Sequence, residues 1–229
     1  MCTSIVTNFN KTIVGWNLDL LDMQSKVIVE DDKVYIAVLD KIEGWLPLFG
    51  ANNRGDFVAM PTCWPYDKRS EQINIKQINI INLDIDLLTK KISFDNVLKF
   101  AKENLVCSIP LVTFQSQLSN KNGDVLQITP GQGYKFFQKP KFSILTNFSP
   151  FKMDTETHPW MGLDRYNIAL SMLNKFTINF NIDNMFEILK ATSQKVCPTV
   201  VSMVFDVSEN NVYWCTNCEW NKIQSKKLK

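Results

Sequence analysis

Cys2-Thr3-Ser4-Ile5-Val6 opens the chain behind a single methionine, and Gly15-Trp16-Asn17-Leu18-Asp19 follows a short distance on. Val, Ile and Thr dominate residues 2–8 and 12–18, and Asn10-Lys11 supplies a turn between them, so the pair predicts a β-hairpin. The same hairpin carries chemistry. An initiator methionine is normally removed when the next side chain is small, and its removal would put a thiol and a free α-amine on one residue, Cys2. An α-amine titrates near ~8. Its neutral fraction can take the thiol proton directly or through one water. Nucleophile and base then need no histidine, which suits a chain whose single histidine is His158.

Outward from that hairpin, residues 26–30 and 33–39 predict a second one around Asp31-Asp32. Residues 43–55, with Gly44, Pro47, Gly50 and Gly55, predict loop or turn, and 56–61 a strand. Residues 66–82 take no assignment, although Ile73, Ile75, Ile78 and Ile80 alternate as a strand would. Helical spacing appears at 84–90 and 94–104, with Ser93 as N-cap. Residues 105–146 are β-like, with a hairpin tip at Asn122-Gly123. Tyr166, Ala169, Leu170 and Leu173, and again Ile182, Met185, Phe186 and Leu189, follow the i, i+3, i+4, i+7 spacing of helices with a core-facing stripe. Thr199–Asp206 and Val212–Thr216 close the chain as a hairpin. Strands and helices thus come in alternating blocks with no repeat or linker between them, which predicts one α+β domain over residues 1–229.

Composition excludes several functions. At 229 residues, 45% hydrophobic and 21% charged, the chain can bury a sizeable core. A net charge of +2 argues against a nucleic-acid partner, since phosphate recognition needs a marked Lys/Arg excess. No run approaches the ~18 apolar residues of a membrane span. The N-terminus lacks the basic and apolar regions of a secretory signal, so a cytoplasmic location is the expectation. H-E-x-x-H, G-x-x-x-x-G-K-[ST] and G-x-G-x-x-G are all absent, and no metal or cofactor is expected. Cys215-Thr-Asn-Cys218 is an isolated C-x-x-C with strand-like flanks, taken as structural thiols.

The opening Cys2–Val6 and the Gly15–Asp19 segment resemble the N-terminal-nucleophile amide hydrolases. Within these they are similar to the choloylglycine hydrolase group, which joins bile salt hydrolases and penicillin V acylases with acid ceramidase and N-acylethanolamine acid amidase. The resemblance continues in order through Gly50-Ala51-Asn52-Asn53-Arg54-Gly55, Leu145-Thr146-Asn147-Phe148-Ser149-Pro150, Leu163-Asp164-Arg165-Tyr166 and the last hairpin, Val200–Thr216. It implies a four-layer αββα sandwich with antiparallel sheets. It further implies hydrolysis of a linear amide, an N-acyl amine or N-acyl amino acid, through a thioester on Cys2. The partner would be a small-molecule amide, with no cofactor; a homo-oligomer stays open.

The resemblance also assigns roles. Asp19 would orient the α-ammonium. Asn147 would donate its side-chain N–H to the oxyanion, a contact worth ~3 kcal/mol. Arg165 would favour the thiolate. Two positions depart from the pattern. Trp16 stands where the family has an arginine, and offers one N–H and no charge. Thr62, beside Cys63 and Trp64, stands where bile salt and penicillin enzymes place an Asn or Tyr of the oxyanion hole. Trp16, Thr62, Trp64 and Phe148 are the expected substrate contacts, and His158 lies in the loop before Arg165. The chain is shorter than many bile salt hydrolases, so bile salts are not carried over as substrate. Two rival readings remain: an acyltransferase on the same fold, and a catalytically silent binding protein, for which Trp16 is the motive.

Overall fold

The computed structural model describes residues 1–41, 44–71, 78–110, 112–151 and 162–229. The opening hairpin forms as its β-branched residues require: β1 (Cys2–Asn8) pairs antiparallel with β2 (Thr12–Asp19), Cys2 opposite Leu18 and Ser4 opposite Trp16. Both strands are central to a sheet that β12 (Phe142–Leu145), β13 (Thr199–Asp206), β14 (Asn211–Thr216) and β15 (Gln224–Lys227) complete, in the order β12-β1-β2-β13-β14-β15. A second antiparallel sheet runs β11-β10-β9-β6-β5-β4-β3. Its strands are β3 (Ser25–Val29), β4 (Lys33–Asp40), β5 (Gly44–Asn52), β6 (Phe57–Ala59), β9 (Ser116–Ser119), β10 (Val125–Thr129) and β11 (Gly133–Phe137). A short parallel pair, β7 (Ile78–Asn79) and β8 (Val106–Cys107), flanks the helices α1 (Ile80–Leu88) and α2 (Phe94–Glu103).

Period-two alternation in β1, β2 and β13 sorts the layers. Ile5, Ile13 and Val204 face α3 (Leu163–Leu173) and α4 (Ile182–Ala191), while Val6, Val14, Trp16, Leu18, Met203 and Phe205 face the second sheet. The second sheet is covered outside by α1, against β5 and β6, and by α2, against β11. The expected αββα sandwich is therefore the observed one. Helix α4 sits close: a Cβ on Gly15 would come within 2.5 Å of Met185 Cγ. Asn17 ties the same helix down, donating to Leu189 O at 2.8 Å and accepting from Ser202 Oγ at 2.7 Å.

Between the sheets lies a buried polar layer. Gln117 donates to Ser4 Oγ at 2.9 Å and accepts from Gln127 and Ser143, each at 2.9 Å. Gln127 also reaches Ile144 O at 3.3 Å, and Gln115 reaches Thr146 O at 2.9 Å and Phe148 O at 3.1 Å. These amides hold carbonyls of the edge strand β12 and of the segment that leads to Asn147. Such groups are costly to bury unpaired.

Several elements differ from the sequence expectation. Residues 43–55 are not a loop: Gly44–Asn52 is a strand, and Pro47 falls where the β4–β5 register shifts between Ile36 and Ala37, so its missing N–H meets a ladder already broken. Helix α1 begins at Ile80 rather than residue 84, because Asp84 interrupts an apolar stripe of Ile80, Leu83, Leu87 and Leu88 and masks its period. Of the alternating isoleucines, Ile78 is in a strand and Ile80 starts the helix, while Ile73 and Ile75 lie outside the described residues. Polar Gln224–Lys227 is an edge strand that no hydrophobic pattern announced; its lysines suit an edge. The Ser93 cap, the Asn122-Gly123 turn, α3, α4 and the closing hairpin are as expected.

Asp84 is fully buried, accepts a hydrogen bond from Ser116, and its other oxygen has no partner among the described residues. Burial pushes its carboxyl from 3.8 up to about 8, with the Ser116 contact pulling the other way. The folded chain therefore holds a proton that the unfolded chain has lost, and stability falls as pH rises through that window. Asp84→Asn keeps a neutral partner for Ser116. Its Tm should exceed that of wild type at pH ~8 by about 3 °C or more, a gap that closes towards pH ~4. Parallel melting curves for the two proteins across this range would show that the carboxyl is not held neutral.

Candidate active site

Pairing of β1 with β2, and of β2 with β13, brings the start of the chain, Asp19 and Thr199 to one end of the sheet, with Thr199 opposite Asp19. The turn after β12 adds Asn147, and the first turn of α3 adds Arg165. Gly162 makes that arrival sterically feasible. It caps α3 with φ +83°, and a Cβ there would fall on Arg165 Nη2 and 2.9 Å from Thr146 Cβ.

Arg165, 2% exposed, is the hub. Its Nη1 donates to Cys2 O and, at 3.0 Å, to Thr3 Oγ1; its Nη2 donates to Asn147 Oδ1 at 2.8 Å. Nη1 lies 3.6 Å from Asp19 Oδ2. The same Asn147 oxygen accepts from Cys2 N at 2.8 Å. Two donors on Oδ1 fix the orientation of the amide, and its nitrogen donates to Thr62 O at 2.7 Å and Thr62 Oγ1 at 3.1 Å. The Asn147 side-chain nitrogen, expected to offer an N–H to an oxyanion, is thus directed at Thr62. The backbone N–H groups of Cys63 and Trp64 are also engaged, with Thr113 O and Asn147 O, each at 2.6 Å.

Asp19 is fully buried. Its carboxylate accepts from Thr199 Oγ1 and Gln194 Nε2, each at 2.6 Å, and it meets the N-terminus through its backbone, not through the carboxylate. Met1 N donates to Asp19 O at 2.7 Å, and Met1 O accepts from Asp19 N at 2.8 Å. Burial pushes the Asp19 carboxyl up, opposed by Arg165. Burial likewise pushes the Cys2 thiol up, opposed by the nearby ammonium. Burial works to lower the Met1 ammonium, but negative charge at Cys2, Asp19 and Cys197 outweighs it, and its pKa rises.

The four expected substrate contacts divide. Thr62, Trp64 and Phe148 gather at Asn147: Thr62 holds its amide, and Trp64 bridges to Phe148, whose ring packs on Tyr166 at 5.4 Å. Trp16 lies apart in the inter-sheet core, fully buried, 4.7 Å from the Phe57 ring, and its indole N–H has no partner among the described residues. Sequence reasoning missed Gln194, Cys197 and Thr199. The pairing of β13 with β2 places Thr199, and no local pattern reports that pairing. His158 lies outside the described residues.

No family model matches the sequence, and no curated protein does. Solved structures do match in shape. A cysteine-to-alanine variant of conjugated bile acid hydrolase from Clostridium perfringens superposes with TM-score 0.68 at 15% identity, covering 100% of this chain and 92% of that one. Penicillin V acylase from Agrobacterium tumefaciens gives 0.67 at 11% identity, covering 94% and 83%. The fold is that of the N-terminal-nucleophile hydrolases. The Caenorhabditis elegans ortholog of N-acylethanolamine-hydrolyzing acid amidase matches with TM-score 0.52 at 19% identity, covering 90% and 93%. In this N-terminal-nucleophile fold, Cys2 heads β1, which lies between β12 and β2. No helix among the described residues is long and apolar enough to cross a membrane.

Removing one member of the Arg165–Asp19 pair leaves the other buried and unpaired, so Arg165→Met should destabilise by about 3–5 kcal/mol in denaturant unfolding. Adding Asp19→Asn to Arg165→Met should recover a sizeable part of that loss. Strict additivity of the two single losses would show that the pair is not coupled.

Proposed function

We propose that the mature chain, freed of Met1, is an N-terminal cysteine amidohydrolase that cleaves a linear amide. The observation that carries this reading is the setting of the Cys2 nitrogen, 2.8 Å from an Asn147 oxygen that Arg165 also holds. Once Met1 has gone, that nitrogen is a primary amine on the same residue as the thiol. It is oriented by Asn147, with Arg165 beside it and Asp19 balancing the charge.

The amine takes the thiol proton, and sulfur attacks the amide carbonyl. The tetrahedral intermediate expels the leaving amine, which takes that proton. Water, deprotonated by the same α-amine, then cleaves the thioester and restores the thiol. Asn147 can serve the oxyanion by exchanging one of its Thr62 contacts for the substrate oxygen. Thr62, Trp64 and Phe148 form the near wall of the substrate site. The substrate is a small N-acyl amine or N-acyl amino acid, and no cofactor enters these steps.

A second reading, a silent binding protein, is favoured by one feature: Trp16 is buried without charge where the related pattern has an arginine. Tag-free wild type and Cys2→Ala, with N-termini verified by mass, separate the two. Incubated with N-acyl amines, N-acyl amino acids, conjugated bile acids and penicillin V, wild type should release acid and Cys2→Ala none. Equal release by both, or none by wild type with Met1 absent, would sink the hydrolase reading for these substrates.

A further inference from the structure

Met1 is held as a bound ligand would be. It adds one rung to the β1–β2 ladder: its carbonyl accepts from Asp19 N at 2.8 Å and its ammonium donates to Asp19 O at 2.7 Å. The same nitrogen lies 3.8 Å from Cys197 Sγ. If Met1 leaves, one N–H and one C=O of Asp19 are uncovered together beside the nucleophile. Their spacing is set by extended backbone and matches one unit, an amine and a carbonyl on either side of a single carbon. A substrate carbonyl on the same Asp19 N–H, set back from the Cys2 nitrogen by van der Waals contact because it lacks the covalent bond of Met1, lies next to Cys2. Of the other nearby donors, the backbone N–H groups of Cys63 and Trp64 are already engaged, and Asn147 joins Asp19 N–H at the oxygen only by exchanging a Thr62 contact.

We propose that the place occupied by Met1 is the acyl subsite of the mature protein, and that it selects α-aminoacyl amides. Asp19 N–H takes the scissile carbonyl oxygen and Asp19 O takes the α-ammonium. In the reaction, a C–S bond forms as the carbonyl π pair moves onto the oxygen held by Asp19 N–H. The C–N bond then breaks, and the leaving amine carries off the thiol proton by way of the Cys2 amine. Water cleaves the C–S bond, releasing a free amino acid. A plain fatty-acyl group has nothing to offer Asp19 O. The chemistry rests on the N-terminal-nucleophile reading; the binding does not.

Binding is measured by calorimetry on mature wild type, mature Cys2→Ala and wild type that retains Met1. The probes are L-methioninamide and 4-(methylthio)butanamide, which lacks only the α-amine. L-Methioninamide should bind both mature proteins about tenfold or more tighter than the des-amino probe, and should not bind the form that keeps Met1. Equal affinities for the two probes, no binding of either, or undiminished binding with Met1 in place overturns the subsite. Hydrolysis of the matching p-nitroanilides separates the two readings. Cys2-dependent cleavage without preference for the aminoacyl anilide leaves the nucleophile standing and removes the subsite. Selective binding without cleavage supports the subsite and removes the hydrolase.

Discussion

One buried guanidinium organises the start of this chain. Arg165 touches the Cys2 carbonyl, the Thr3 hydroxyl and the Asn147 side chain, and lies 3.6 Å from the Asp19 carboxylate. Those groups come from β1, the turn after β12 and the end of β2, and Arg165 itself from the first turn of α3. A cation taken out of water is tolerated only when its donors are met and its charge balanced, so the four segments are bound to one geometry. Gly162 is part of the same constraint, because a side chain there would displace the guanidinium. Arg165 Nε remains without a hydrogen-bond partner among the described residues, so the balance is achieved through the two terminal nitrogens.

The sandwich supports that hub with two different fillings. Against α3 and α4 the sheet packs an apolar cluster, with Asn17 fastening α4 and Thr3 meeting Arg165 of α3. Against the second sheet, aliphatic side chains surround a glutamine and serine layer whose amides hold carbonyls of β12 and of the Thr146–Phe148 segment. That layer anchors the backbone on both sides of Asn147, so the placement of Asn147 beside Cys2 depends on Gln115 and Gln127, far from it in sequence. Cross-sheet hydrogen bonds of this kind are directional, whereas apolar packing alone would leave the edge strand freer to shift.

Trp16 and Met1 are the two places where this chain is most individual. Trp16 brings a ring into the inter-sheet core and no charge. The charged side chains beside Cys2 are Arg165 and Asp19 among the described residues. Met1 continues the β ladder as if it belonged to β1. Strand pairing is indifferent to which residue provides the rung.

The sequence by itself determined the first hairpin, the two amphipathic helices, the closing hairpin and Cys2 as a candidate, each written in local periodicity or a short motif, where neighbours in sequence are neighbours in space. Asp19, Asn147 and Arg165 entered as candidates through the resemblance of short motifs to a known family. The sequence misjudged Gly44–Asn52, whose glycines and proline signal turns when read locally, although pairing on both sides makes that segment a strand. Only the tertiary structure decided that Thr199 and Gln194 hold Asp19, that Asn147 turns its side-chain nitrogen to Thr62, and that Asp19 meets the N-terminus through its backbone. Those facts depend on long-range strand order and on which of several acceptors lies within ~3 Å of a donor. No spacing along the chain encodes either.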